Sequence, residues 1–223
     1  GGAGGAGGGG GGGAAQPYRF GWDTPILFSS FDSKVVYSAA NVVFKSMDRG
    51  GSWKAISPNL TANVNRDTMK IMGVLVRNQN AQNDTGVAPT GSGSVYALGE
   101  SPLDARLLYA GSTDGRLSVT RDGGANWADI TSRVPGLPQY TPVTSVVPSR
   151  FAVGRVYATF DGHVSDDLTP YVYVSDDFGQ TWRPIVTGVP DETTIARIVE
   201  HPRDPRFLVL GGNRGVHFSN DGG

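Results

Sequence analysis

Short apolar runs alternate with polar turns along most of the chain, and none of them extends far enough to build a long helix. One such stretch is Ser30-Phe31-Asp32-Ser33-Lys34-Val35-Val36-Tyr37-Ser38-Ala39, and Ser101-Pro102-Leu103-Asp104-Ala105-Arg106-Leu107-Leu108-Tyr109-Ala110-Gly111 is a second. Pro148-Ser149-Arg150-Phe151-Ala152-Val153-Gly154-Arg155-Val156-Tyr157-Ala158 and His201-Pro202-Arg203-Asp204-Pro205-Arg206-Phe207-Leu208-Val209-Leu210-Gly211 follow the same plan. Each begins in a polar Pro/Asp turn, runs into a short strand of Val, Tyr and Leu, crosses a Gly/Asp turn and enters a second strand. A sustained apolar stripe of period 3.6 is absent, so the pattern predicts an all-β fold with few helices.

The second strand of each unit ends in a motif. Ser46-Met47-Asp48-Arg49-Gly50-Gly51-Ser52-Trp53, Thr120-Arg121-Asp122-Gly123-Gly124-Ala125-Asn126-Trp127 and Ser175-Asp176-Asp177-Phe178-Gly179-Gln180-Thr181-Trp182 share one skeleton. Ser219-Asn220-Asp221-Gly222-Gly223 carries its first five positions. Chemistry explains the skeleton. The Asp carboxylate accepts N–H groups of its own turn, and the Ser or Thr hydroxyl ties the entry. Gly supplies a backbone conformation that other residues reach only with strain. The Trp is expected to return inward between neighbouring sheets, where burial of its indole is worth about 2–3 kcal/mol. Ser46, Asp48, Gly50, Trp53, Thr120, Asp122, Gly124, Trp127, Ser175, Asp177, Gly179, Trp182, Ser219, Asp221 and Gly223 are therefore read as structural.

Motif starts lie 74, 55 and 44 residues apart. A four-stranded β-propeller blade takes roughly 40–50 residues, so the last two intervals hold one blade each. The first holds a blade with an insertion, placed within residues 57–93 around Arg77-Asn78-Gln79-Asn80-Ala81-Gln82-Asn83-Asp84. The expectation is a propeller of four-stranded blades with about four blades present, an incomplete ring belonging to one of seven blades or more. Such an arc is expected to leave two sheet edges with unpaired N–H and C=O groups.

Composition narrows the partners. The 223 residues carry 19 basic and 20 acidic side chains, scattered rather than striped, which gives no reason to expect nucleic acid or an anionic membrane surface. Without cysteine there is neither a disulfide frame nor a thiolate metal site. No apolar run reaches the roughly 18–20 residues that span a bilayer. Residues 1–15 are Gly and Ala alone, either a flexible linker or backbone whose side chains are unassigned, so the propeller domain is placed at 16–223. The sequence opens without Met or a signal peptide, as a processed chain or a piece of one would.

The repeated motif resembles the Asp-box, or BNR repeat, of sialidases, some xyloglucan hydrolases, sortilin-type receptors and photosystem assembly factors. Tyr18-Arg19-Phe20-Gly21-Trp22, Ser46 to Trp53 with the following Ile56-Ser57-Pro58-Asn59-Leu60-Thr61, and Pro170-Tyr171-Val172-Tyr173 are similar to one bacterial branch, the sortilin-like propellers often labelled glycosyl hydrolases. The resemblance spans nearly all of 16–223. It implies Asp-boxes at the blade periphery and six to ten blades, with an extracytoplasmic (periplasmic, secreted or cell-surface) setting.

No catalytic constellation accompanies it. Tyr18-Arg19-Phe20 faintly resembles the sialidase arginine motif but lacks the Ile-Pro that follows there. The richest polar cluster, Phe160-Asp161-Gly162-His163-Val164-Ser165-Asp166-Asp167, offers Asp161 with His163 as an acid/base pair, or Asp166 with Asp167 to a cation. Those four residues are the ligand-binding candidates, weighed against a plain solvated turn, which is the favoured reading. His201 and His217 have no second His at ligand spacing, so no metal and no cofactor is expected. The favoured function is a non-catalytic scaffold or binding module for a protein or peptide. The alternative is a glycoside hydrolase on a polysaccharide, its carboxylates partly in blades beyond these.

Overall fold

The computed structural model describes residues 18–64, 70–71, 74–75 and 93–223. Sheet 1 comprises β1 (Ile26–Phe28), β2 (Val36–Ala39), β3 (Val43–Ser46) and β4 (Lys54–Ala55). A two-residue pair, β5 (Lys70–Ile71) and β6 (Val74–Leu75), follows. Sheet 2 holds β7 (Val95–Ser101), β8 (Asp104–Ser112), β9 (Leu117–Thr120) and β10 (Ala128–Asp129). Sheet 3 holds β11 (Val143–Pro148), β12 (Val156–Phe160), β13 (Tyr171–Ser175) and β14 (Arg183–Pro184). Sheet 4 has three strands, β15 (Ile195–Glu200), β16 (Leu208–Gly212) and β17 (Gly215–Ser219). Within each sheet the strands lie in chain order and pair antiparallel, and the only helical turns among the described residues are two of 3₁₀ type, at 131–133 and 163–165. The first strand of one sheet packs on the first strand of the next, so β7, β11 and β15 sit at the inner radius. The molecule is an all-β propeller whose ring is not closed.

Burial follows from position in the arc. Sheet 3 is covered on both sides, and all five residues of β12 and of β13 are buried. A strand with two covered faces can be apolar throughout. On β17, with one face open, Val216 and Phe218 are 71% and 72% exposed.

Two devices recur between sheets. The first joins each motif to the sheet before it. In every complete motif the Ser or Thr hydroxyl donates to the Asp at 2.8 Å while accepting the N–H of the Gly four residues on. In all four motifs that Gly turns with positive φ, and from the second motif on it approaches an isoleucine of the preceding sheet; Gly50 has no sheet before it among the described residues. A Cβ built on Gly124 would lie 2.6 Å from the Ile56 carbonyl oxygen, and one on Gly179 2.5 Å from Ile130 Cδ1. Gly223 meets Ile185 in the same way. Each isoleucine stands ten positions after its own motif's Ser or Thr, and its N–H bonds to the third strand at 2.9 Å.

The second device is a buried glutamate. Glu100, on β7, accepts the Ser29 hydroxyl, the Ser30 N–H and the Tyr37 hydroxyl of sheet 1. Glu200, on β15, accepts the Ser149 hydroxyl, the Arg150 N–H and the Tyr157 hydroxyl of sheet 3. Between sheets 2 and 3 the corresponding acid is replaced by Pro148, and the donor facing it is replaced by Pro102, which has no N–H. The Tyr109 hydroxyl is left there, fully buried and without a partner. That junction is held by the largest apolar cluster instead, which includes Tyr109, Val119, Val146 and Trp182.

Two expectations change. The three motif tryptophans are not equally buried: Trp182 is 8% exposed and Trp127 half-buried, with its indole N–H on the Ile56 carbonyl at 2.9 Å, but Trp53 is 45% exposed. Each indole packs on the sheet before its own, and sheet 1 has none before it among the described residues. The open ends of the arc are likewise sheet faces, not unpaired edges: Ile26, Phe28 and Trp53 on sheet 1, Val199, Val216 and Phe218 on sheet 4. Blades meet face to face, so a missing neighbour uncovers side chains rather than a row of backbone amides. The insertion around 77–84 lies outside the described residues, as do residues 1–15.

Candidate binding groove

Successive hairpins alternate between the two ends of a blade. The motifs and the β1–β2, β7–β8, β11–β12 and β15–β16 turns share one end. The β8–β9 and β12–β13 turns, and the segments joining one sheet to the next, share the other. The motif end is committed to structure. Asp48 is drawn down to about 2 by the Ser52 hydroxyl and N–H and the Ser46 hydroxyl. Asp122 reaches about 2 through the Asn126 N–H and side-chain amide and the Thr120 hydroxyl. Burial opposes the shift at Asp177, but the Thr181 hydroxyl and N–H and the Ser175 hydroxyl outweigh it and again give about 2. At Asp221 the Ser219 hydroxyl and the Gly223 N–H lower the carboxyl in the same direction.

The four residues singled out from sequence lie on the opposite end, in the β12–β13 loop. Asp161 Oδ1 accepts the His163 N–H and faces His163 Nδ1, both at 2.9 Å. Asp167 accepts the Thr169 N–H and the Tyr171 hydroxyl, at 3.0 and 2.7 Å. Its partial burial pushes the carboxyl up, and the Tyr171 and Thr169 hydroxyls and the Thr169 N–H outweigh that to lower it. The same pair drives Tyr171 up to about 12, through burial first and the carboxylate second. Asp166 is exposed in a left-handed turn with φ +62°. Asp161 and Asp167 are thus turned onto their own loop while Asp166 stands exposed, and no group of three or more potential metal ligands exists among the described residues.

A larger recess on the same end was not legible beforehand. A groove of about 650 Å³ is lined by Ala62, Asp114, Gly115, Arg116, Asp129, Thr131, Ser132, Val134, Leu137, Pro138, Gln139 and Tyr140. Three segments converge to form it: the chain leaving sheet 1, the β8–β9 turn, and the link from sheet 2 to sheet 3. Asp114, 4% exposed, receives the Ala62 and Asn63 N–H groups at 3.0 Å and the Ser112 hydroxyl at 2.6 Å. Arg116 lies 3.0 Å from Asp129 and donates to the Thr61 carbonyl at 3.1 Å. Asp129 also holds the Thr131 hydroxyl and N–H. Arg19 braces the far wall, on the Gly93 carbonyl and the Thr61 hydroxyl. Gly115, φ +84°, lets Tyr140 close the rim, since a Cβ there would lie 2.7 Å from the Tyr140 backbone. Tyr140 itself has φ +64° and is 49% exposed.

These features define a propeller arc with a polar, pre-formed recess on one end. No protein-family model matches the sequence, and the curated proteins give no match. Solved structures do match in shape. An ancestral GH74 enzyme superposes with a TM-score of 0.62 at 17% identity, over 93% of this chain and 24% of that one. A Niastella koreensis GH74 enzyme gives 0.57 at 15%, over 92% and 29%. A chain of the COPII outer coat vertex on membranes gives 0.57 at 12%, over 86% and 45%. The chain spans less than half the length of each, and identities this low establish the fold alone.

Proposed function

We propose that the chain is a non-catalytic binding module, part of an Asp-box propeller of seven or more blades, which presents the groove between sheets 1, 2 and 3 to a protein or peptide. The observation that carries this reading is the state of the groove's two carboxylates. Asp114 is filled by two N–H groups and a hydroxyl, while Asp129, partly exposed, spends Oδ1 on the Thr131 hydroxyl and N–H and pairs with Arg116 at 3.0 Å through Oδ2. General acid/base hydrolysis needs a carboxyl free to exchange a proton with substrate. A buried, fully bonded Asp114, the Arg116–Asp129 ion pair and an exposed Tyr instead make a polar rim of the kind that orients a partner. An extracytoplasmic setting belongs to the same proposal, and fractionation of source cells tests it.

The experiment is a comparison on the 223-residue chain. A peptide array and a polysaccharide panel are probed in parallel, with Tyr140→Ala and Arg116→Ala as groove variants. Saturable peptide binding, weakened roughly tenfold by either variant, supports the proposal. Release of reducing sugar from any polysaccharide, together with peptide binding that ignores both variants, overturns it in favour of a glycoside hydrolase.

A further inference from the structure

Most polar groups around the groove are bonded within the chain. Asp114 is buried under two N–H groups and a hydroxyl, and Arg19, in the far wall, donates to the Gly93 carbonyl and the Thr61 hydroxyl. Arg116 and Asp129 differ. Arg116 Nε lies 3.0 Å from Asp129 Oδ2, yet this buried nitrogen has no hydrogen-bond partner, so the two form an ion pair without an aligned N–H···O bond. Arg116 Nη1 donates to the Thr61 carbonyl, and Asp129 Oδ1 takes the Thr131 hydroxyl and N–H. Among the described residues nothing hydrogen-bonds Arg116 Nη2 or Asp129 Oδ2, and the two side chains are 34% and 44% exposed. A buried guanidinium N–H without a partner is uncommon and calls for an occupant. The wall of the groove therefore offers an unbonded donor directly beside an unbonded acceptor.

Charge decides what fits there. An anion drawn to the guanidinium is repelled by the carboxylate 3.0 Å away, and a cation meets the reverse. Asp114 and Arg19 add one further charge of each sign, so neither sign is favoured overall. A neutral group with an acceptor and a donor side by side avoids both penalties. A primary carboxamide has that arrangement, with its C=O and NH₂ in one rigid plane. A trans peptide unit does not, since its own C=O and N–H point in opposite directions. We propose that the Arg116–Asp129 pair is a carboxamide subsite for an Asn or Gln side chain of the partner, a role that rests on the groove's being a peptide site and adds the residue it selects. The carboxamide oxygen accepts from Arg116, and its NH₂ donates to Asp129 Oδ2.

A positional-scanning library of capped hexapeptides is the probe, each mixture fixing one position as Gln, Asn, Glu, Lys or Ala. Binding to the full chain is read by mass spectrometry of the retained peptides. One position is expected at which Gln or Asn exceeds Glu, Lys and Ala by roughly tenfold or more. Two variants then uncover one charge each. Arg116→Met leaves Asp129 alone and should turn the preference at that position to Lys. Asp129→Asn leaves Arg116 alone and should turn it to Glu. Circular-dichroism melts check that each variant folds, and one switch suffices if the other variant does not. Peptide binding without a carboxamide preference overturns the subsite and leaves the groove standing as a peptide site. Folded variants that keep the wild-type order of preference overturn it too. A library of which no member binds overturns the subsite and the groove together.

Discussion

Asp48, Asp122 and Asp177 hold their turns only while ionised, since a protonated carboxyl loses its capacity to gather three donors. Their folded values near 2 lie below the ordinary 3.8, so each contributes stability that is complete above the unfolded value and lost as pH falls through the folded one. Urea midpoints should be level above about pH 5 and decline between roughly 4 and 2. Asp177→Asn should flatten that decline and lower the plateau. The tryptophans separate by burial, not by motif. Trp182→Ala should cost about 3–5 kcal/mol in urea unfolding, whereas Trp53→Ala, at 45% exposure, should stay below about 1 kcal/mol. The motif itself is plain in the sequence because Asp, Gly and Trp each have a local reason for their place. The fate of the indole is not local, for it depends on which sheet lies alongside.

Among elements, the glutamate clasps make the sharpest contrast. Tyr37 and Tyr157 donate to a buried carboxylate, and Tyr109 donates to nothing. Tyr157→Phe should therefore lower stability by about 1.5 kcal/mol, since a bond to a charged group is lost and the glutamate keeps its other donors. Tyr109→Phe should be neutral or slightly stabilising, as it removes an unpaired hydroxyl. Thermal melts of the two variants settle the comparison. Pro148→Glu should supply the missing acceptor to Tyr109 and Ser101, and raise the midpoint in the wild-type background but not beside Tyr109→Phe. Strand positions and the Pro/Asp turns were readable from β-branched runs and turn residues: Asp32, Asp104 and Asp204 each accept an N–H two residues on. The clasps were not. Glu100 and Glu200 sit alone in sequence, 43 to 71 residues from their partners, and nothing local distinguishes a clasping glutamate from a solvated one. The groove was hidden for the same reason. Its walls come from three separated links, whereas the compact 160–167 cluster drew notice by density and turns Asp161 and Asp167 onto its own loop.

For the whole molecule, the arc has two unlike ends. Sheet 1 shows Ile26, Phe28 and Trp53, while sheet 4 shows Val199, Val216 and Phe218. Exposed apolar faces of this kind promote association. The seating of each isoleucine on the glycine of the following unit has an evolutionary corollary. Knob and socket point the same way around the curve, so a unit carries one of each and asks nothing of its position in the series. A tandem duplication in the gene would insert a module already fitted to both flanks, and lineages could lengthen or shorten the series without redesigning a single contact.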